Sequence, residues 1–376
     1  MALGMLAQAL ARRMRIPGII ILLAAGLLFG PDGLNWIQPD SLGSAMHIIV
    51  GFAVAVILFE GGMNLRISRI KREQLAIQGL ITISAFITLV GGTLSTLFFL
   101  DWDFRTSILF GTLIIVTGPT VISPLLKRIR IHHGVSTILE AEGILLDAIG
   151  AIVAVVALEI AISPSGLSLL KGFYHIITRL GIGTLFGVTG GALLTLLFRI
   201  RRLVPEGLEN VFILSWVFAL FQLSNALSPE SGIAAVTIAG MTIGNSKTYI
   251  HRELLEFKEQ LTVLMIGMLF ILLAADVRLS HIYNLGINGV FTVLFLMIII
   301  RPLAVFAGTA RSKLEKKHKI LLAWIAPRGI VAAAVASLFA FELNLHGYDG
   351  SQLRALVFLL ITMTVLSAGI TGGWVA

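Results

Sequence analysis

Long apolar runs separated by short polar breaks repeat along almost the whole chain. Runs suited to a bilayer about 30 Å thick lie near 17–30, 42–61, 75–99, 105–126, 137–162, 179–198, 208–227, 231–245, 259–275, 284–308, 319–340 and 353–372. Two of them, 17–30 and 231–245, are short and bounded by Pro or Gly. Residues 1–11 read as the end of one more helix, which predicts an N-terminus truncated ahead of residue 1. The pattern predicts an all-α membrane protein of about 12–13 transmembrane helices.

Composition narrows this further. Of 376 residues, 57% are hydrophobic and 13% charged, against about 25% charged in a soluble domain. A mean hydropathy of +0.97 leaves no room for a sizeable soluble domain. Apolar residues 17–29 follow a basic cluster but lead into further spans, so they are not a cleavable signal peptide. With no cysteine there are no disulfides and no thiolate metal sites.

The net charge of +8 reports topology rather than nucleic-acid binding. Lys and Arg cluster at 12–15, 66–72, 127–130, 199–202, 247–258 and 311–319, which hold 21 of the 28 basic residues. With these spans all six clusters fall on one side, which is therefore cytoplasmic. Opposite loops such as Pro31-Asp32-Gly33 and Asp101-Trp102-Asp103 are acidic or neutral.

Two features recur along the chain. Ala25-Gly26-Leu27-Leu28-Phe29-Gly30 closes the first short span, and Ala239-Gly240-Met241-Thr242-Ile243-Gly244 closes the second, 214 residues later. Thr117-Gly118-Pro119 and Ala326-Pro327-Arg328-Gly329 interrupt two other spans at nearly the same offset. The charge topology makes the members of each pair cross the membrane in opposite directions. That is the mark of inverted-topology repeats, whose interface holds the substrate site in many secondary transporters. The predicted organisation is one transmembrane domain over 1–376, with repeat 1 near 1–162, a linker helix near 168–200 and repeat 2 near 208–372. A cytoplasmic regulatory domain beyond residue 376 is compatible with a chain that stops just after a span.

Charged residues inside a bilayer are expensive and usually functional. The candidates are Glu60, Glu142, Asp147, Glu159, Arg301 and Arg328, with Asp276 read as an interfacial residue at a helix end. Asp147 lies ten residues into its span, roughly 15 Å deep. Gly143 and Gly150 share its helix face, which predicts a hollow able to take an ion. The competing reading is a carboxylate held in a helix-packing salt bridge. Glu142 projects about 140° away and suits a structural ion pair with Arg301 better than a transport role. Glu140 shares the face of Asp147 near the cytoplasmic end, as an approach residue or a solvated one. Glu60, in Phe59-Glu60-Gly61-Gly62, is an entrance acid or a capped interfacial residue.

The break at Thr117-Gly118-Pro119-Thr120 frees backbone carbonyls in mid-membrane. Together with the Thr117 and Thr120 hydroxyls they could ligate a cation. Arg328 beside Gly329 could neutralise half-helix ends where two broken helices cross. The plainer reading of either break is a proline kink. His132-His133 reads as a solvated or pH-sensing pair.

These motifs, in this order, resemble the monovalent cation:proton antiporter-1 family, the sodium/hydrogen exchangers of NhaP type. The match includes Ile16-Pro17-Gly18, Gly26-Leu27-Leu28-Phe29-Gly30-Pro31, Phe59-Glu60-Gly61-Gly62 and Thr117-Gly118-Pro119-Thr120-Val121. It continues through Glu142-Gly143-Ile144-Leu145-Leu146-Asp147, Arg301 and Arg328-Gly329. The resemblance implies a thirteen-helix fold, commonly a homodimer, with a dimerisation part and a mobile core containing two crossing broken helices. It implies that Asp147 is the ion-binding and proton-carrying aspartate, and that Glu142 and Arg301 form the buried ion pair. Three positions depart from the family pattern. Gly118 replaces an acid, Gly143 a serine and Leu146 an asparagine, as in a bacterial subgroup with a glycine-containing break.

The expected function is secondary active exchange of protons for a monovalent cation, Na+ ahead of K+, across the plasma membrane, here a bacterial inner membrane. The cation and the proton are cargo, and no cofactor is implied. A cation channel or gated leak on the same scaffold is the alternative, against which the otherwise apolar spans argue. An enzyme is disfavoured, because no paired Asp motif, metal-spaced His pair or Ser/Lys constellation lies in mid-span.

Overall fold

The computed structural model describes residues 1–14, 16–118, 133–162, 168–200, 208–246, 252–325 and 328–375. Among the described residues the chain is helical, with no β-strand. Among the described residues, seven helices of at least 18 residues are long and apolar enough to cross a membrane, and five shorter apolar helices accompany them.

The first half runs through α1 (Ala2–Met14), α2 (Gly18–Phe29), α3 (Ser44–Asn64) and a short surface helix α4 (Ile67–Arg72). It continues with α5 (Gln74–Gly79), α6 (Ala85–Phe99), α7 (Phe104–Leu113) and α8 (His133–Ile162). The 32-residue α9 (Ser168–Arg199) starts 11 residues before the span expected at 179–198. Then come α10 (Glu209–Leu227), α11 (Ser231–Gly244), α12 (Arg252–Ala275), α13 (Leu279–Asn284), α14 (Gly286–Phe295), α15 (Arg301–Gly308), α16 (Lys316–Trp324), α17 (Ile330–Leu345) and α18 (Ser351–Val375).

The repeat shows in the backbone itself. α5 and α6 are joined by a π-helical turn at Leu80–Ser84, and α14 and α15 by another at Leu296–Ile300. Such turns are rare and concentrate at functional sites. The two short helices α2 and α11 also correspond. α11 lies between α9 and α3, while α2 packs on α12 and α1.

Two groups of helices result. One gathers α1, α2, α3, α10, α11 and α12, and the other α5 to α8 with α14 to α18. A continuous apolar cluster runs through both, anchored by Phe110, Phe270 and Phe339. Where an internal face is already apolar, small residues and van der Waals fit hold helices together.

Candidate functional site

The α7 helix stops at Leu113, and its chain continues irregularly through Val116, Thr117 and Gly118, all buried. The counterpart stretch of irregular backbone at Arg328 and Gly329 precedes α17. The two interruptions cross. A β-carbon placed on Gly118 would lie 2.1 Å from the α-carbon of Gly329, and one on Gly329 would lie 2.2 Å from that of Gly118. Backbones approach this closely only where neither residue has a side chain. Pro119 and Thr120, expected in the break and at the ion site, lie outside the described residues, as do His132, Ala326 and Pro327.

Asp147 sits in the middle of α8 and is 1% exposed. Among the described residues neither of its carboxylate oxygens has a hydrogen-bond partner, and the Thr117 hydroxyl, also buried, has none either. The competing reading, a helix-packing salt bridge, finds no partner among those residues. The hollow is smaller than the glycines suggested. A β-carbon on Gly150 would meet the Val116 side chain at 2.9 Å, so Val116 fills that side. This contact brings the end of α7 onto the helix face that carries Asp147. Thr117 is the residue that follows Val116 in the chain.

Glu142 points elsewhere, as its helix angle requires. Arg301 donates to both its oxygens, Nη1 to Oε1 at 2.6 Å and Nη2 to Oε2 at 3.0 Å. Nη2 also donates to the Leu322 carbonyl at 3.2 Å. Both side chains are buried. The bidentate fork ties α8 to the start of α15, directly after the second π-turn. Arg328 is buried at the crossing. Its backbone N–H donates to the Thr364 hydroxyl at 3.3 Å, and Nη1 approaches the Val116 carbonyl at 3.5 Å. A guanidinium thus faces the freed carbonyl of the opposite break.

The two entrance candidates separate. Glu140 is half-buried and accepts from the Ser136 hydroxyl at 3.1 Å. Glu60 is turned to the other helix group, lining a small cleft with Phe59, Asn210, Val217 and Thr262. Asp276, expected as a bland interfacial residue, is 9% exposed and doubly engaged. It accepts from the Ser337 hydroxyl at 2.8 Å and from Arg354 Nη1 at 2.6 Å. Its position at the end of a span gave no hint of those partners, which come from helices sixty and more residues away.

The region holds one orphaned carboxylate and one orphaned hydroxyl, with two irregular backbones that cross. A bare carboxylate without a partner is untenable at such burial. The residues suit a single charge-neutralising guest, a proton or a small cation.

A family model described as "Sodium/hydrogen exchanger, transmembrane" matches residues 1–376. "K(+)/H(+) antiporter NhaP2" of Shewanella oneidensis is 28% identical over 375 residues, which cover 98% of this chain and 63% of that protein. The chain therefore spans less than two thirds of that relative's length. "Na(+)/H(+) antiporter 1" of Methanocaldococcus jannaschii is 29% identical over 358 residues, covering 91% of this chain and 82% of that one. A solved structure described as the sodium proton antiporter MjNhaP1 from the same organism, at pH 8, superposes with a TM-score of 0.85. It shares 26% identity over 100% of this chain and 95% of the other.

Proposed function

Because the chain belongs to the sodium/hydrogen exchanger family, we propose that it exchanges protons for a monovalent cation, with Asp147 as the carrier group. The observation that carries this reading is the unpartnered, buried carboxylate in mid-helix. Burial disfavours its ionised form, while a bound cation favours it. A proton and a cation therefore compete for one group, and loading by one requires release of the other. Alternating access then carries the loaded carboxylate from one side to the other. One cation against one proton at a single carboxylate leaves the exchange electroneutral.

Thr117, with Thr120, supplies neutral oxygens to the dehydrated cation. Glu142 and Arg301 fix α8 against α15 without taking part in transport. Gly118 and Gly329 let the breaks cross, and Arg328 neutralises the exposed carbonyl end. Glu140 belongs to the cytoplasmic approach, with Glu60 as the second candidate there. Sodium is the first cation to test and potassium the second, since the similar proteins carry both names. The plasma membrane as location and a homodimer as the assembly are part of the proposal, supported by the family resemblance alone.

The test is Asp147→Asn in everted vesicles, with proton movement followed by a pH-sensitive dye while sodium or potassium is added. The expected result is loss of cation-driven proton release. Release at the wild-type rate overturns the assignment. A channel differs in kind, since its flux continues without a counter-ion.

A further inference from the structure

The chain passes from the first helix group to the second by two short links, one on each side of the membrane. They are sequence repeats of each other. Asn64-Leu65-Arg66-Ile67-Ser68 begins at the last residue of α3, and Asp276-Val277-Arg278-Leu279-Ser280 follows α12, 212 residues later. By the charge topology the first faces the basic, cytoplasmic side and the second the opposite side.

Both links are pinned through their arginine side chain and the backbone N–H that follows it, by residues at or beyond the end of a short helix. On the basic side Arg66 donates to the Gly244 carbonyl at 2.7 Å, and the Ile67 N–H donates to Asn245 Oδ1 at 2.9 Å. On the far side Arg278 pairs with Asp32 at 3.6 Å and Asp40 at 3.3 Å, and the Leu279 N–H donates to Asp32 Oδ2. Gly244 ends α11 as Gly30 follows α2, and the anchors Asn245 and Asp32 lie one and two residues beyond these matching glycines.

The symmetry fails at the first residue of each link. Asn64 is exposed. Asp276 is buried and binds Ser337 on α17 and Arg354 on α18. The helix it directly follows, α12, packs mainly on α1, α2 and α3, whereas α18 packs mainly on α17 and its neighbours in the second group. The ion pair therefore crosses the seam between the groups on the far side. Ser337 lies eight residues along α17 from Gly329, about 12 Å from the crossing. A route from the site to the far side along this seam meets the pair.

We propose that Asp276, Arg354 and Ser337 form a latch that keeps the far side closed, and that Asn64 leaves the basic side, among the described residues, without its equivalent. The protein then rests with access biased to the basic side, and outward opening begins with release of Arg354. Asp349, on the loop before α18, feels the Arg354 charge and offers it an exposed acid to turn to. A state preference arises because the latch contributes to one of two states only. The inference rests on alternating access, and its test is separate from the test of exchange.

The chain contains no cysteine, so a single Ala333→Cys reports access without background. Ala333 is 9% exposed and lies one helical turn below Ser337 on the same face of α17. A membrane-impermeant maleimide is applied from the far side to vesicles of fixed orientation. Asp276→Asn and Arg354→Gln are each expected to speed labelling about tenfold, with Ser337→Ala giving a smaller increase. Ala323→Cys, buried on α16, is expected to label no faster in the same variants. Unchanged labelling of the Ala333→Cys thiol overturns the latch, and equal acceleration at both introduced thiols overturns it too, as general loosening. If Asp276→Asn fails to fold, Ser337→Ala decides alone. Undiminished exchange in Asp147→Asn removes the carrier assignment and leaves the labelling result standing.

Discussion

The α-carbon of Gly329 occupies the space that any side chain on Gly118 would need, with a β-carbon there only 2.1 Å away. The family pattern has an acid at this position. Gly118→Asp, which restores it, is therefore expected to destabilise this protein instead of adding an ion ligand. Overpacking costs up to about 3 kcal/mol even where side chains can yield, and here the obstacle is backbone. Gly118→Ala should already lower the melting temperature in detergent and abolish exchange. A Gly118→Asp protein that melts like the parent would show that the crossing is not fixed as described.

Glu142 and Arg301 are both buried and joined by two hydrogen bonds. Removing either partner leaves a buried charge unpaired, at a cost of about 3–5 kcal/mol. Glu142→Gln and Arg301→Met should each depress thermal stability. Glu142→Leu with Arg301→Met should recover much of the loss, because no charge remains. Arg301→Lys should not recover it, since an ammonium cannot reproduce the two-pronged contact. Melting curves of the four variants decide this.

Thr117→Val keeps shape and removes the unpartnered hydroxyl. If that oxygen binds the cation, the apparent KM for the cation should rise about tenfold, the worth of one lost ligand contact. Stability should not fall, because no existing hydrogen bond is broken. A KM equal to that of the parent would remove Thr117 from the ion site.

Asp349 lies outside the membrane helices and caps the start of α18. Hydrogen bonds from the Ser351 hydroxyl, then from its backbone N–H, hold its carboxyl below the usual range. Partial burial opposes this, and the His281 and Arg354 charges add to it. A carboxyl with a lowered folded value stabilises the fold above its unfolded value, near about 4. That contribution disappears as pH falls through the folded value. Asp349→Asn should therefore melt slightly below the parent at neutral pH, and the difference should shrink as pH falls below about 4. A difference that persists unchanged in acid would contradict the capping role.

Much of this was written in the chain. The apolar runs gave the helices because a bilayer admits few other structures. The positions of Asp147 and Glu142 were separable from helix geometry alone, since five residues cannot return to one face. The repeated links at Asn64 and Asp276 were equally legible, as a five-residue similarity at nearly the same offset as the short helices. The apolar spans around them drew attention away. The partner of Glu142 was also legible, because a buried acid needs a cation and Arg301 was the available one.

Other features depended on residues far apart in sequence. Gly150 read as an open space until Val116 filled it. Asp276 read as interfacial until Ser337 and Arg354 closed on it. The glycine at 118 read as a lost ligand, and the crossing shows it also to be a steric requirement. By itself the sequence determined which segments are helical and which charges are costly to bury, because hydropathy and helical period are local properties. Only the tertiary structure decided which buried charges have partners. Asp147 and Arg301 are alike in burial, and what separates them is whether another helix brings an opposite charge within reach.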